Sequence, residues 1–180
     1  TIQLYRHDRL QYMKDLISRC NSNGKKIGLK LVRGAYMEKE RDQATKKNYP
    51  DPIQKDKRAT DNDFTKAVEF CIENIGTVSL CVGTHNEKSV LHLTDLMKKK
   101  TLKKNDSRIW FAQLLGMSDH ISFNLSKEGY NVAKYVPYGP IKEVIPYLIR
   151  RAEENTSVSG QTGRELSLIK IEVENRNQSK

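Results

Sequence analysis

Ile27-Gly28-Leu29-Lys30-Leu31-Val32-Arg33-Gly34-Ala35-Tyr36 is the stretch that decides the fold. Its first part is a short apolar run that reads as a strand over Ile27–Gly34. Its end turns abruptly to charge, glycine and an aromatic ring. The same change recurs downstream. Thr77–Gly83 runs into Thr84-His85-Asn86, Arg108–Leu114 ends in Gln113-Leu114-Leu115-Gly116, and Asn131–Pro137 leads through Tyr138 to Gly139. Between these runs, helical periodicity predicts helices over Arg6–Asn21, Thr60–Asn74, Glu87–Lys99, Ser118–Glu128 and Pro140–Asn155. Asn23-Gly24 and Asn74-Ile75-Gly76 fit helix stops. Gly139-Pro140 fits a start, with proline at the first helical position. Thr1-Ile2-Gln3-Leu4 reads as the end of one further strand.

Strands alternating with helices imply an α/β fold with parallel strands and right-handed crossovers. The runs are apolar almost throughout, as expected of strands covered on both faces. An open doubly wound sheet and a βα-barrel both fit. No GxGxxG follows any strand, so the fingerprint of dinucleotide-binding open sheets is missing. Polar and glycine chemistry at every strand's C-terminal end favours the barrel, which builds its sites there. A closed barrel needs eight βα units and about 250 residues. The chain has 180 residues and four full units. The expectation is half of a TIM-like barrel, incomplete in this chain, with the other half upstream.

Composition narrows the class. The chain is 37% hydrophobic and 30% charged, which describes a soluble globular protein rather than a disordered one. No run approaches the roughly 18 apolar residues of a membrane span. Three widely spaced cysteines (Cys20, Cys71, Cys81) form no disulfide framework, and the four histidines have no metal-ligand spacing. No metal is expected. The net charge of +10 raises the question of an acidic partner. The densest cluster, Lys98 to Lys104, has no interleaved aromatics for stacking on bases, so a solvated helix end is the better reading and nucleic acid is not expected.

Several residues stand out individually. Arg150 and Arg151 lie near the end of the last helix, and adjacent helical positions point about 100° apart. Arginine suits bidentate grip on a carboxylate. Glu154, four residues after Arg150, is placed to pair with it. An ordinary surface ion pair gives the same pattern. Pro146 inside this helix is expected to kink it. Thr84-His85-Asn86 reads as cofactor contact or as a strand end with Asn86 capping the next helix. Lys30 and Arg33 flank a strand end, and Gly34, Ala35 and Gly116 let a flat ligand approach the backbone. Tyr135 and Tyr138 read as core aromatics or as pocket walls. Met37–Ala59 is polar and reads as a long loop, of the kind that is usually a lid or a mobile excursion.

Taken together, KLVRGAY with ER shortly after it, THNE, FAQLLGMSD, KYVPYGP and YLIRRAEEN resemble, in order and spacing, the proline dehydrogenase family, its eukaryotic mitochondrial members most of all. The resemblance covers residues 1–155, and 156–180 is left as a polar tail. It implies strands 4–8 and helices 4–8 of an FAD-binding barrel. It also implies oxidation of L-proline to Δ1-pyrroline-5-carboxylate by hydride transfer to FAD, with electrons passed to a quinone. The implied location is the matrix side of the mitochondrial inner membrane. By family position, Arg150 and Arg151 hold the substrate carboxylate and Glu154 pairs with Arg150. Tyr135, Leu114 and Tyr36 border the substrate. Gln3, Lys30, Val32, Gly34, Ala35, Thr84, His85 and Asn86 contact FAD. The related alternative is a hydroxyproline dehydrogenase, where a serine tends to replace the tyrosine at 135. A basic, noncatalytic interaction module is the alternative from another class.

Overall fold

The computed structural model describes residues 1–157 and, beyond them, positions 167, 170, 171, 173, 174 and 177; for 152–157 only the backbone is described. Most of the 156–180 tail therefore lies outside the described residues. Two compact units divide the chain, Thr1–Tyr135 and Val136 onward.

In the first unit the apolar runs become strands β1 (Ile2–Gln3), β2 (Ile27–Val32), β3 (Val78–Gly83), β4 (Ile109–Leu114) and β5 (Val132–Tyr135). All neighbours are parallel, and the order in the sheet is the order in the chain. An open doubly wound sheet reverses its order at a switch point. No reversal occurs here, so the five strands form an arc of a βα-barrel.

Register sorts the side chains into two faces. Leu29, Leu31, Val78, Leu80, Val82, Ile109 and Phe111 are buried against the helices. They meet Met13 and Ile17 of α1 (Arg9–Ser22), Phe64, Val68 and Ile72 of α3 (Lys57–Glu73), and Leu93 and Met97 of α4 (Glu87–Lys99). Ile121 and Leu125 of α5 (Asp119–Lys127) close the layer. The opposite, concave face is unlike the expectation of strands sealed on both sides. Trp110 is 43% exposed and Tyr135 50% exposed there. The reason is composition, since the inward positions of β2 and β3 are Gly28, Lys30, Val32, Ser79, Cys81 and Gly83, mostly small or polar, with Val32 the one branched apolar side chain among them.

The stretch expected as a loop is largely helical. Met37–Lys47 forms α2 and α3 already starts at Lys57, capped by Asp56, whose carboxylate accepts from Ala59 N at 2.6 Å. Only Ala44 of α2 is buried, so hydrophobic periodicity gave no signal. Its glutamates, lysines and glutamine are strong intrinsic helix formers, with Glu38 and Glu40 in the first turn and Lys46 and Lys47 in the last. The segment after α2 returns to β1. Arg6 forms an antiparallel bridge with Ile53, His7 N donates to Pro52 O, and Gln54 N donates to Tyr5 O at 2.8 Å. These bonds explain why α1 starts at Arg9 rather than Arg6.

The lysine cluster ends α4, with Lys98 and Lys99 in its last turn. Lys104 pairs with Glu128 at 2.8 Å and lies over the Tyr130 ring. In the second unit, α6 (Ile141–Ser157) follows Pro140, whose carbonyl accepts from Glu143 N and Val144 N.

Candidate functional site

The candidate site lies on the concave face, at the C-terminal ends of the strands. The register pairs Gln3 with Val32, Lys30 with Cys81 and then Trp110, Gly83 with Ala112 and then Ala133, and Leu114 with Tyr135. Gln3, Lys30, Val32, Leu114 and Tyr135 therefore share one face. Between them lies a floor of small residues, Gly83, Ala112 and Ala133.

Lys30 on β2 reaches across this floor, and its Nζ lies 5.6 Å from the centroid of the Tyr135 ring on β5. Two strands intervene, each about 4.8 Å from the next. The contact is made over Gly83, where an added Cβ would come within 3.0 Å of both Lys30 Cε and Val32 Cγ1. A lysine over a tyrosine face is worth about 0.5–2 kcal/mol, depending on desolvation. Cys81 shares the face; burial raises its thiol above the ordinary value, and the Lys30 charge opposes the rise.

The other expected cofactor residues are distributed differently. Thr84 is buried, and its Oγ1 accepts from Arg33 Nη1 and from Asn86 N, both at 3.1 Å. Asn86 caps α4 by accepting from Ser89 N. His85 Nδ1 lies 2.9 Å from Ser118 Oγ. Arg33 points to the helix side, where Nε meets Asp61 at 2.6 Å, Nη2 meets Ser89 Oγ at 2.9 Å, and the guanidinium lies 4.3 Å from the Phe64 centroid. It ties β2 to α3 and α4 and does not enter the concave face. Burial raises Asp61, but hydrogen bonds from Lys57 and Arg33 outweigh it and hold the carboxyl below its usual range.

Gly34 has φ +125°, and a Cβ there would sit 1.5 Å from Tyr5 Cδ1. The Tyr5 ring thus occupies one side of the Gly34 backbone. Ala35 leads into Tyr36, which precedes α2 and lines a cleft with Arg6, Lys39, Glu40, Gln43 and Tyr49. Gly116 (φ +77°) and Ser118 (φ +52°) shape the turn from β4 to α5. Its neighbour Gln113 is buried, donating to Thr84 O and accepting from Ser122 Oγ.

Arg150 and Arg151 lie on α6 in the second unit. The Arg151 guanidinium sits 5.1 Å from the Tyr147 ring centroid, one turn earlier. The Glu154 side chain lies outside the described residues. Pro146 removes one backbone donor from the helix interior.

Sequence reading missed Gly83 and Tyr5. Strand alternation carries a signal for Gly83, since it falls on the same face as Lys30 once the register is counted. Tyr5 has no such signal, because, Gln3 apart, its contacts come from residues 28 to 49 positions away. Among the described residues, no group of three or more His, Cys, Asp or Glu is placed to hold a metal, and no helix is long and apolar enough to cross a membrane.

Known proteins are similar to this chain in sequence and in fold. A family profile described as proline dehydrogenase matches residues 1–164. A hydroxyproline dehydrogenase of Xenopus laevis is 41% identical over 180 residues, spanning 98% of this chain and 39% of the relative. Proline dehydrogenase 1, mitochondrial, of Homo sapiens is 39% identical over 176 residues, spanning 96% of this chain and 29% of the relative. Among solved structures, proline utilization A from Bdellovibrio bacteriovorus, inactivated by N-propargylglycine, superposes with a TM-score of 0.81 at 27% identity, covering 88% of this chain and 16% of that one. The chain thus spans well under half the length of these relatives. With its motifs, its strand order and a profile match over nearly its whole length, the chain belongs to the proline dehydrogenase family.

Proposed function

We propose that the protein oxidises L-proline to Δ1-pyrroline-5-carboxylate with FAD as cofactor. The observation that carries this reading is the concave face, where Lys30 crosses a floor of Gly83, Ala112 and Ala133 to the Tyr135 ring. Such a floor suits a flat ring system, and the Cβ missing at Gly83 keeps it open. FAD, when bound, supplies the acceptor for the hydride that leaves the proline carbon next to nitrogen.

The residues do the positioning. Gln3, Lys30 and Val32 are proposed as FAD contacts on the concave face, and Gly34, Ala35, Thr84, His85 and Asn86 at the strand ends. Leu114 and Tyr135 border the substrate ring, with Tyr36 near the same pocket. Arg150 and Arg151 hold its carboxylate, and Glu154 orients Arg150. Holding the reacting carbon in place accounts for a large part of the rate in such a reaction. A quinone as the final acceptor, and a place at the matrix side of the mitochondrial inner membrane, complete the proposal. The relatives named mitochondrial support the location.

Oxidation of hydroxyproline is the second reading, favoured by relatives of that name at 37–42% identity, a range that overlaps the 36–40% of the proline dehydrogenases. Tyr135 favours proline on steric grounds, since a serine there would leave room for a hydroxyl. The test is anaerobic bleaching of the visible flavin absorbance in the full-length, FAD-loaded protein. L-Proline is expected to bleach it at lower concentration than trans-4-hydroxy-L-proline, and Tyr135→Ser is expected to shift the preference toward hydroxyproline by roughly tenfold. Stronger bleaching by hydroxyproline in the unaltered protein moves the assignment to the second reading. A protein that takes up no FAD loses the cofactor assignment altogether.

Gly83→Ala tests the floor. The new methyl group displaces the flexible end of the Lys30 side chain and also presses on the stiffer, β-branched Val32, whose Cγ1 lies equally close. FAD affinity is expected to fall roughly fivefold, and the strain against Val32 is expected to lower the thermal midpoint by only about a few degrees. An unchanged dissociation constant in a fluorescence titration contradicts the assignment of this face to the cofactor.

A further inference from the structure

Glu40 is the fourth residue of α2, and both of its carboxylate oxygens are engaged. Oε1 meets the Tyr5 hydroxyl, and Oε2 accepts from Arg6 Nη1 at 2.6 Å. Arg6 is itself braced by Asp8, with Nε and Nη2 meeting the two oxygens of that carboxylate at 3.1 and 3.0 Å. The Tyr5 hydroxyl also lies 3.1 Å from Gln3 Oε1. Two oxygens thus face a phenol that carries a single proton. With a guanidinium against its other oxygen, Glu40 acts as an acceptor, so the proton goes to Glu40. The phenol oxygen then offers Gln3 only lone pairs. Amide nitrogen and oxygen are told apart by their hydrogen bonds, and this network requires the Gln3 NH2 group to face Tyr5. The Gln3 carbonyl oxygen is left on the other side.

Tyr5 holds its position firmly. It is 3% exposed, its N–H donates to Arg33 O at 2.7 Å, and its ring fills the space beside the Gly34 backbone. Burial first, and then the Glu40 carboxylate, push the phenol well above its ordinary value, so it keeps its proton at neutral pH. Gln3 shares the concave face with Val32, its register partner.

We propose that Glu40 is a positioning residue for the cofactor site, fixing Tyr5 and through it the Gln3 amide so that the Gln3 carbonyl oxygen accepts from an N–H or O–H donor of the flavin cofactor. This rests on the FAD assignment of Gln3 made above. In this proposal Glu40 acts through Tyr5 and Gln3 and makes no direct contact with substrate or cofactor. It belongs to the ER pair that follows KLVRGAY.

The test is a set of FAD titrations on the full-length protein, with Glu40→Gln, Tyr5→Phe and Gln3→Ala made singly and the first two also combined with Gln3→Ala. Each of Glu40→Gln and Tyr5→Phe is expected to weaken FAD binding by roughly tenfold alone, and by less than about twofold once Gln3 is alanine. A purely structural role predicts the same loss in both backgrounds, and that result overturns the proposal, as does native affinity in either single variant. Amide hydrogen exchange over α2 and residues 1–6 of the cofactor-free protein gives a second readout. Glu40→Gln is expected to speed it, and unchanged exchange there overturns the relay. If the unaltered protein binds no FAD, the functional reading fails, and the exchange experiment still judges whether Glu40 anchors Tyr5.

Discussion

Arg150→Ala in the full-length protein is expected to lower kcat/KM for L-proline by roughly thirtyfold to a few thousandfold. The range corresponds to about 2–5 kcal/mol for truncating one partner of a desolvated, hydrogen-bonded charge pair. kcat/KM is the right readout because it compares free enzyme and substrate with the transition state. Arg150→Lys keeps the charge and loses the planar fork, so it is expected to recover part of the loss only. Prolinamide, which lacks the carboxylate, supplies the control. Arg150→Ala and the unaltered protein are expected to oxidise it with nearly equal kcat/KM. A proline kcat/KM within threefold of normal removes Arg150 from the site. Arg151 has a further constraint in the Tyr147 ring one turn earlier, which limits its rotamers before any ligand arrives.

The second large effect concerns stability. Phe64 is fully buried in α3, where its ring packs in the helix-side core and carries the Arg33 guanidinium on its face. Phe64→Ala is expected to cost about 3–5 kcal/mol, read as a shift of the urea unfolding midpoint. This is a large part of the stability of a typical domain. The cost combines the lost apolar burial with a void that close-packed neighbours fill only in part. Phe64→Leu leaves a smaller void and is expected to cost less. A loss below about 1 kcal/mol for the alanine variant contradicts the packing described. The effect reaches the site indirectly, because Arg33 loses the surface that orients it toward Asp61, Thr84 and Ser89.

The alternation of strands and helices was legible in the sequence because each strand brings its own apolar run and each helix its own period. Asn86 was legible as a cap for the same local reason. What escaped was nonlocal or lacked apolar content. α2 buries one alanine, so its helicity rests on intrinsic propensity and end charges, which periodicity does not register. Arg33 sits between Lys30 and Gly34 in the motif, yet strand alternation turns it to the helix side while Lys30 turns to the concave face. Tyr5 meets Gly34 and Glu40 only once the chain has folded back on itself. The two alternatives for the strand-end residues were both physically sound, and for Thr84 and Asn86 the structure shows helix capping and cross-strand bonding.

The bridge between Arg6 and Ile53, taken with the Glu40 contacts, changes the thermodynamics of the segment it encloses. An untethered excursion from β2 to α3 would have to be ordered when a ligand arrives, and the lost chain entropy would subtract from affinity. Here the closure is completed during folding, where it is shared with the rest of the cooperative transition, and the long span is divided into shorter loops. A ligand bound at the β1 and β2 ends, as proposed above, would meet a preorganised wall. Opening that wall requires the rupture of a few identified hydrogen bonds, giving a discrete barrier in place of a diffuse loop motion.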